Sequence, residues 1–210
     1  MKTILATCLL TTLLTAQSVY ELPFASKGNI IELSVSNESQ TENFSGKVEL
    51  TSTPDFIKFK NSSVEITNLV KEESISADFE FDVIVSAPVN EKTDIIFNVK
   101  SDNGEQWTKT ITVSVSPPED YELFQNYPNP FNPTTKISYL LPEESKVSLQ
   151  IFNILGERVA DFPGELKSAG QHEIVWNASN FASGTYICLV RMENTKGETK
   201  QFQKKMLLLR

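Results

Sequence analysis

Histidine occurs once in the 210 residues, at His172, and cysteine twice, at Cys8 and Cys188. Zinc sites need several His or Cys ligands at set spacing, and this chain supplies no such cluster. The strained Gly-x-Ser-x-Gly turn that presents a catalytic serine is absent, so His172 has no nucleophile to serve. Glycine-rich phosphate loops are missing too. Positive charge is in deficit: Lys+Arg number 19 against Asp+Glu 27, a formal net charge of −8. An acidic chain with no basic stripe is a poor nucleic-acid binder, and none is expected as a partner. No cofactor and no metal are expected.

Long apolar runs are lacking as well, with one exception at the start. Lys2 precedes an apolar stretch from Ile4 to Leu14, and Ala16-Gln17-Ser18 puts small residues where a leader would be cut. This is the pattern of a secretory signal peptide, expected over residues 1–18, and it is too short to span a bilayer. Cys8 would suit a lipoprotein signal only with a shortened apolar run. Loss of the leader removes Cys8, so Cys188 has no intramolecular disulfide partner. It lies in the apolar run Tyr186-Ile187-Cys188-Leu189-Val190, where a free cysteine acts as a small buried hydrophobe.

Helical periodicity is absent between Gly28 and Ser116, and period-two alternation takes its place. Ile31, Leu33 and Val35 alternate with polar residues. So do Val48 and Leu50, Ile57 and Phe59, Val64 and Ile66, the run Phe79 to Val85, then Ile95, Phe97 and Val99, and lastly Trp107 to Val115. Turn signals separate the runs at Ser36-Asn37, Ser45-Gly46, Thr53-Pro54-Asp55, Asn61-Ser62 and Asp102-Asn103-Gly104. About seven short strands in fewer than about 100 residues predict an immunoglobulin-like sandwich. The hairpin Ser101 to Thr110 and the strand Thr110 to Val115 resemble the small sandwiches of secreted bacterial proteins tied to adhesion or glycosidases. Asp78, Glu80 and Asp82 share one face of a strand, but without a glycine-bearing turn they form a solvated outer face, not a calcium site. Trp107 is the candidate platform for a sugar, with Phe24 and Phe44 as alternates.

Pro117-Pro118-Glu119-Asp120 marks a boundary, since adjacent prolines cannot enter a central strand. Past it lies Asn126-Tyr127-Pro128-Asn129-Pro130-Phe131-Asn132-Pro133, a stiff segment that is neither helix nor ladder. Alternation then resumes at Ile137, Tyr139 and Leu141, at Val147, Leu149 and Ile151, at Ile174 and Trp176, and at Tyr186 to Val190 and Phe202 to Leu209. Hairpin turns are expected at Leu155-Gly156-Glu157 and Asn194 to Gly197. The fold class is therefore all-β: two tandem immunoglobulin-like β-sandwich domains after a signal peptide. The expected division is leader 1–18, first sandwich 19–116, linker 117–125 and second sandwich 126–210.

The opening segment, the strand Ile151 to Val159 ending in Gly156-Glu157-Arg158-Val159, the strand Ser183-Gly184-Thr185-Tyr186, and the ending Lys204-Lys205-Met206-Leu207-Leu208 stand in a telling order. In that order they resemble the type A C-terminal sorting domain of type IX secretion system cargo, from Tyr121 to Arg210. Gly156-Glu157-Arg158 departs slightly from the Gly-Arg-Glu or Gly-Lys-Glu usual there. The resemblance implies a sorting signal carried by Pro128, Asn129, Pro130, Phe131, Asn132, Pro133, Gly156, Gly184, Tyr186, Lys204 and Lys205. It also implies passage through the periplasm, an outer-membrane translocon as partner, and removal of the domain by a sortase-like protease. Attachment of the passenger to lipopolysaccharide at the cell surface, or its release as a secreted protein, would follow. The passenger is then expected to be a non-enzymatic structural or adhesion sandwich. A carbohydrate- or protein-binding module, or a remnant of a larger secreted enzyme, is the alternative.

Overall fold

The computed structural model describes residues 3–8 and 18–210. The chain divides into two units, Met1–Ser116 and Pro117–Arg210, and every element described is a strand. Most of the expected leader, including Ala16 and Gln17, lies outside the described residues. Within it, β1 (Thr3–Cys8) runs parallel to β3 (Asn29–Ser36).

The first unit continues with β2 (Val19–Leu22), β4 (Phe44–Ser52), β5 (Ile57–Phe59), β6 (Ser63–Leu69), β7 (Ser74–Val83), β8 (Lys92–Ser101) and β9 (Gln106–Val115). One sheet has the order β1-β3-β7-β5 and the other β2-β9-β8-β4-β6. Alternation decides which faces meet. Ile31, Leu33, Val35, Ala77, Phe79 and Phe81 are buried from the first sheet, and Val48, Ile95, Phe97, Val99, Ile111 and Val113 from the second. Two sheets that each hide every second residue pack into a sandwich. Phe79 and Phe97 meet across it with ring centroids 4.7 Å apart.

Two local expectations differ from the structure. Ser45-Gly46 is no turn: it lies within β4, where a Cβ on Gly46 would come 2.1 Å from the Lys100 carbonyl oxygen of β8. The glycine is there because a neighbouring backbone approaches too closely for any side chain, at an irregularity in the β4–β6 register. Val85 is exposed because β7 ends at Val83 and a turn follows. Asp78, Glu80 and Asp82 lie on the solvent face of β7, where Glu80 pairs with Lys60 and Asp82 accepts the Gly28 N–H.

The second unit holds β10 (Glu122–Leu123), β11 (Thr134–Leu141), β12 (Ser145–Asn153), β13 (Arg158–Lys167), β14 (Gly170–Asn177), β15 (Gly184–Asn194) and β16 (Thr199–Leu208). Its sheets are β10-β11-β14 and β13-β12-β15-β16. Leu123, Ile137, Tyr139, Leu141 and Trp176 are buried from the smaller sheet, and Leu149, Ile151, Cys188, Val190, Met206 and Leu208 from the larger. The stretch 117–125, expected as linker, is thus folded in its second half. Leu123 is buried and the Phe124 N–H donates to the Ser138 carbonyl, so a ladder bond and an apolar contact hold it to β11. Cys188 is buried, as a small core hydrophobe should be, and burial pushes its thiol up to about 12.

Candidate functional site

The segment Asn126–Pro133 connects β10 to β11, and its prolines keep it from forming a continuous strand. Contrary to the expectation from sequence, it makes two isolated ladder contacts, Tyr127 with Lys136 and Phe131 with Leu208. Both Tyr127–Pro128 and Asn129–Pro130 are cis. Asn126 organises the segment from inside. Its buried amide donates to the Pro128 carbonyl at 3.0 Å and to the Thr135 hydroxyl at 2.9 Å, and that hydroxyl donates to the same carbonyl at 3.0 Å. Tyr127 exchanges both backbone bonds with Lys136 at 2.9 and 3.0 Å, which leaves its ring exposed.

The segment then takes hold of the last strand. The Phe131 N–H donates to the Leu207 carbonyl at 2.9 Å, and the Leu209 N–H donates to the Phe131 carbonyl at 3.0 Å. The Asn129 side-chain oxygen accepts the Leu207 N–H at 2.9 Å, and the Gln125 amide donates to the Lys205 carbonyl at 2.8 Å. β16 is the outer strand of its sheet, and its free edge would otherwise present unpaired backbone groups. The segment covers that edge. The Phe131 ring enters the core against Trp176, centroids 5.4 Å apart. Trp176 meets Tyr186 edge-on at 5.3 Å, and the Tyr186 hydroxyl donates to the Ala182 carbonyl at 2.7 Å.

The other residues of the expected signal fall around the same end. Asn153, last in β12, pairs with Tyr186, which pairs with Met206. The turn after β12, the start of β15 at Gly184 and the end of β16 at Leu208 therefore share one end of the larger sheet. Gly156 sits in that turn with φ 81°, a conformation that favours glycine. Lys204 and Lys205 lie on β16 opposite Cys188 and Ile187, and Lys205 is exposed. Among the described residues neither lysine forms a salt bridge. Asn132 is exposed, and Pro133 accepts the Ala178 N–H through its carbonyl at 2.9 Å. The chain enters the unit at the opposite end. There the Tyr121 hydroxyl bonds Ser145 at 3.0 Å and Glu143 at 3.2 Å, and Ser145 pairs with Asn194. Burial holds the Tyr121 phenol above its ordinary value.

Pro128, Asn129, Pro130, Phe131, Gly184, Tyr186, Lys204 and Lys205, some of them more than 70 residues apart, are thus brought to one end and edge of a sandwich. Gln125, Asn126 and Thr135, which pin the segment, carry no signature beyond their place beside the prolines. His172 belongs to none of this: its ring stacks on Tyr139 at 5.6 Å and its Nε2 bonds the Ser168 carbonyl at 2.7 Å. In the first unit, Trp107 is half-buried and edge-on to Phe44 at 6.1 Å, and Phe24 packs on the core. The described residues contain no group of three or more His, Cys, Asp or Glu placed to hold a metal ion.

Residues 125–205 match the model of the secretion system C-terminal sorting domain. No curated protein matches the chain. Among solved structures it is similar to dimeric latent PorU from Porphyromonas gingivalis, at 12% identity and TM-score 0.36, over 93% of this chain and 19% of that one. The chain therefore spans 19% of that protein's length. It is also similar to the CupB2 chaperone of Pseudomonas aeruginosa, at 9% identity and TM-score 0.31, over 90% and 97% of the two chains. A tetra-tandem repeat of a large adhesion protein gives 15% identity and TM-score 0.33 over 79% and 42%.

Proposed function

We infer that this chain, whose second unit is a secretion system C-terminal sorting domain of the type IX kind, delivers a non-enzymatic first sandwich to the cell surface or the medium. A leader takes it to the periplasm, and an outer-membrane translocon engages the second unit. A sortase-like protease then removes that unit, and the passenger is released or joined to lipopolysaccharide. The observation that supports the reading is the union of Asn129 and Phe131 with Leu207 and Leu209, which joins the opening and closing motifs of the domain at one edge. A structural or adhesive passenger is favoured over a sugar-binding one because Trp107 is half-buried and packs edge-on against Phe44, which leaves less of its ring for a platform. The missing nucleophile and metal motifs support a passenger without catalysis.

Deletion of Lys204–Arg210 in a cell that carries the export system tests the reading. The variant should be retained in the periplasm. Deletion also opens the sheet edge, so Lys204→Ala with Lys205→Ala is the companion variant. Surface charge changes of this kind shift stability by about 0.5 kcal/mol or less, and the sandwich should keep its circular dichroism. A folded double variant held in the periplasm means that the lysines are recognised, and normal export means that they only guard an edge. Delivery of the deletion variant at full yield would refute the sorting reading.

A further inference from the structure

Ile154 and Leu155 stand at the tip of the β12–β13 hairpin, 77% and 78% exposed. The same molecule shows that the turn does not need them. Asn153 begins the sequence Asn-Ile-Leu-Gly-Glu, and Asn194 begins Asn-Thr-Lys-Gly-Glu in the β15–β16 hairpin. The two turns are built alike. The Asn153 side-chain oxygen accepts the N–H groups of Leu155 and Glu157 at 2.9 and 3.0 Å. That of Asn194 accepts those of Lys196 and Glu198 at 3.1 and 2.9 Å. Each glycine N–H donates to the carbonyl of its asparagine, at 3.1 and 3.0 Å, and the glycines have φ of 81° and 83°. With the backbone satisfied identically, polar Thr195-Lys196 serves one turn and apolar Ile154-Leu155 the other. The apolar pair therefore answers to something other than the turn.

Its position indicates what. The tip lies at the end of the larger sheet where β15 starts and β16 finishes, across β15 and β16 from the edge gripped by Asn129 and Phe131. Leu209 adds a half-exposed apolar side chain there. The Asn194 turn, with its polar tip, is at the opposite end, where the chain enters the unit.

We propose that Ile154 and Leu155 form an apolar anchor that inserts into an apolar recess of the export machinery when it takes up this domain. The proposal rests on the sorting reading and says which surface is engaged. A second copy of the chain is the poorer occupant. Two side chains bury far less than the roughly 800 Å² per partner of a stable interface. A small, exposed, rigidly presented pair suits a pocket that desolvates it, as interface hot spots do.

The test transplants the sister tip: Ile154→Thr with Leu155→Lys in the full chain. The variant should melt within about 4 °C of the parent, since exposed positions outside special geometry change stability little. Its surface or secreted fraction should fall about tenfold, the loss expected when an anchor worth about 1.4 kcal/mol is removed. Ile154→Val with Leu155→Met keeps the apolar character and should restore export. The Lys204–Arg210 deletion runs beside it. Normal export of the transplant with the deletion retained overturns the anchor and leaves the sorting reading intact, whereas export of both overturns the sorting reading. A large fall in melting temperature would make the pair structural and overturn the proposal. So would sedimentation showing a parent dimer that the transplant abolishes, because the occupant would then be a second copy.

Discussion

Asn126 and Cys188 are both buried in the second unit, and they were unequally legible. Cysteine inside an apolar strand announces a core position. Asparagine beside prolines announces only a turn, and its inward amide depends on where Pro128 and Thr135 come to lie. The Cys188 thiol, at about 12 against an ordinary 9.0, gives a sign for pH dependence. Below about 9 the thiol is protonated in the folded and the unfolded chain alike, so it adds no pH dependence. Between about 9 and about 12 the unfolded chain ionises and the folded one does not. The unfolded state then binds fewer protons, and stability falls as pH rises. Tyr139, raised from 10.0 to about 12 by burial and then by the charge of Glu165, acts in the same direction. The urea midpoint of the second unit should therefore drop between about pH 9 and about pH 12, and less steeply in Cys188→Ala. Equal slopes in parent and variant would mean that Cys188 contributes nothing.

At the scale of elements, the Asn126–Pro133 segment and β16 form one unit of structure. Prolines suit an edge cover because they have no N–H to leave unpaired, while Phe131 supplies both a ladder bond and a core ring. Phe131→Ala removes the ring and leaves a void beside Trp176. The unfolding free energy of the second unit should fall by about 3–5 kcal/mol, as measured by denaturant titration. A loss below about 1 kcal/mol would show that the ring only rests on the surface. Alternation revealed the strands themselves, but not Gly46, where the close approach of the Lys100 carbonyl sets the choice, nor the end of β7 before Val85.

For the whole molecule, the division after Ser116 follows the Pro117-Pro118 pair. Of the residues that follow, Pro118 is buried and Glu119 and Asp120 are exposed. From Glu122 onward the chain is tied into β10, so Glu119–Asp120 is the part a protease reaches without unfolding a sandwich. Intact mass of the surface form should place its new end near these residues. A form that retains Arg210 would contradict the expected removal of the second unit.

Composition and alternation were sufficient for the class of fold, and the order of the motifs carried the resemblance to the sorting domain. Those properties are local or additive: a strand hides every second residue whatever its partner, and a proline blocks a ladder wherever it stands. Tertiary structure decided which motifs meet. Asn129 and Leu207 are joined by a hydrogen bond because the Pro/Asn segment runs parallel along the free edge of β16, a matter of sheet order and register that no short stretch contains. It also decided that Ile154 and Leu155, at a turn the sequence already announced, leave apolar side chains in solvent although the turn's backbone is satisfied without them.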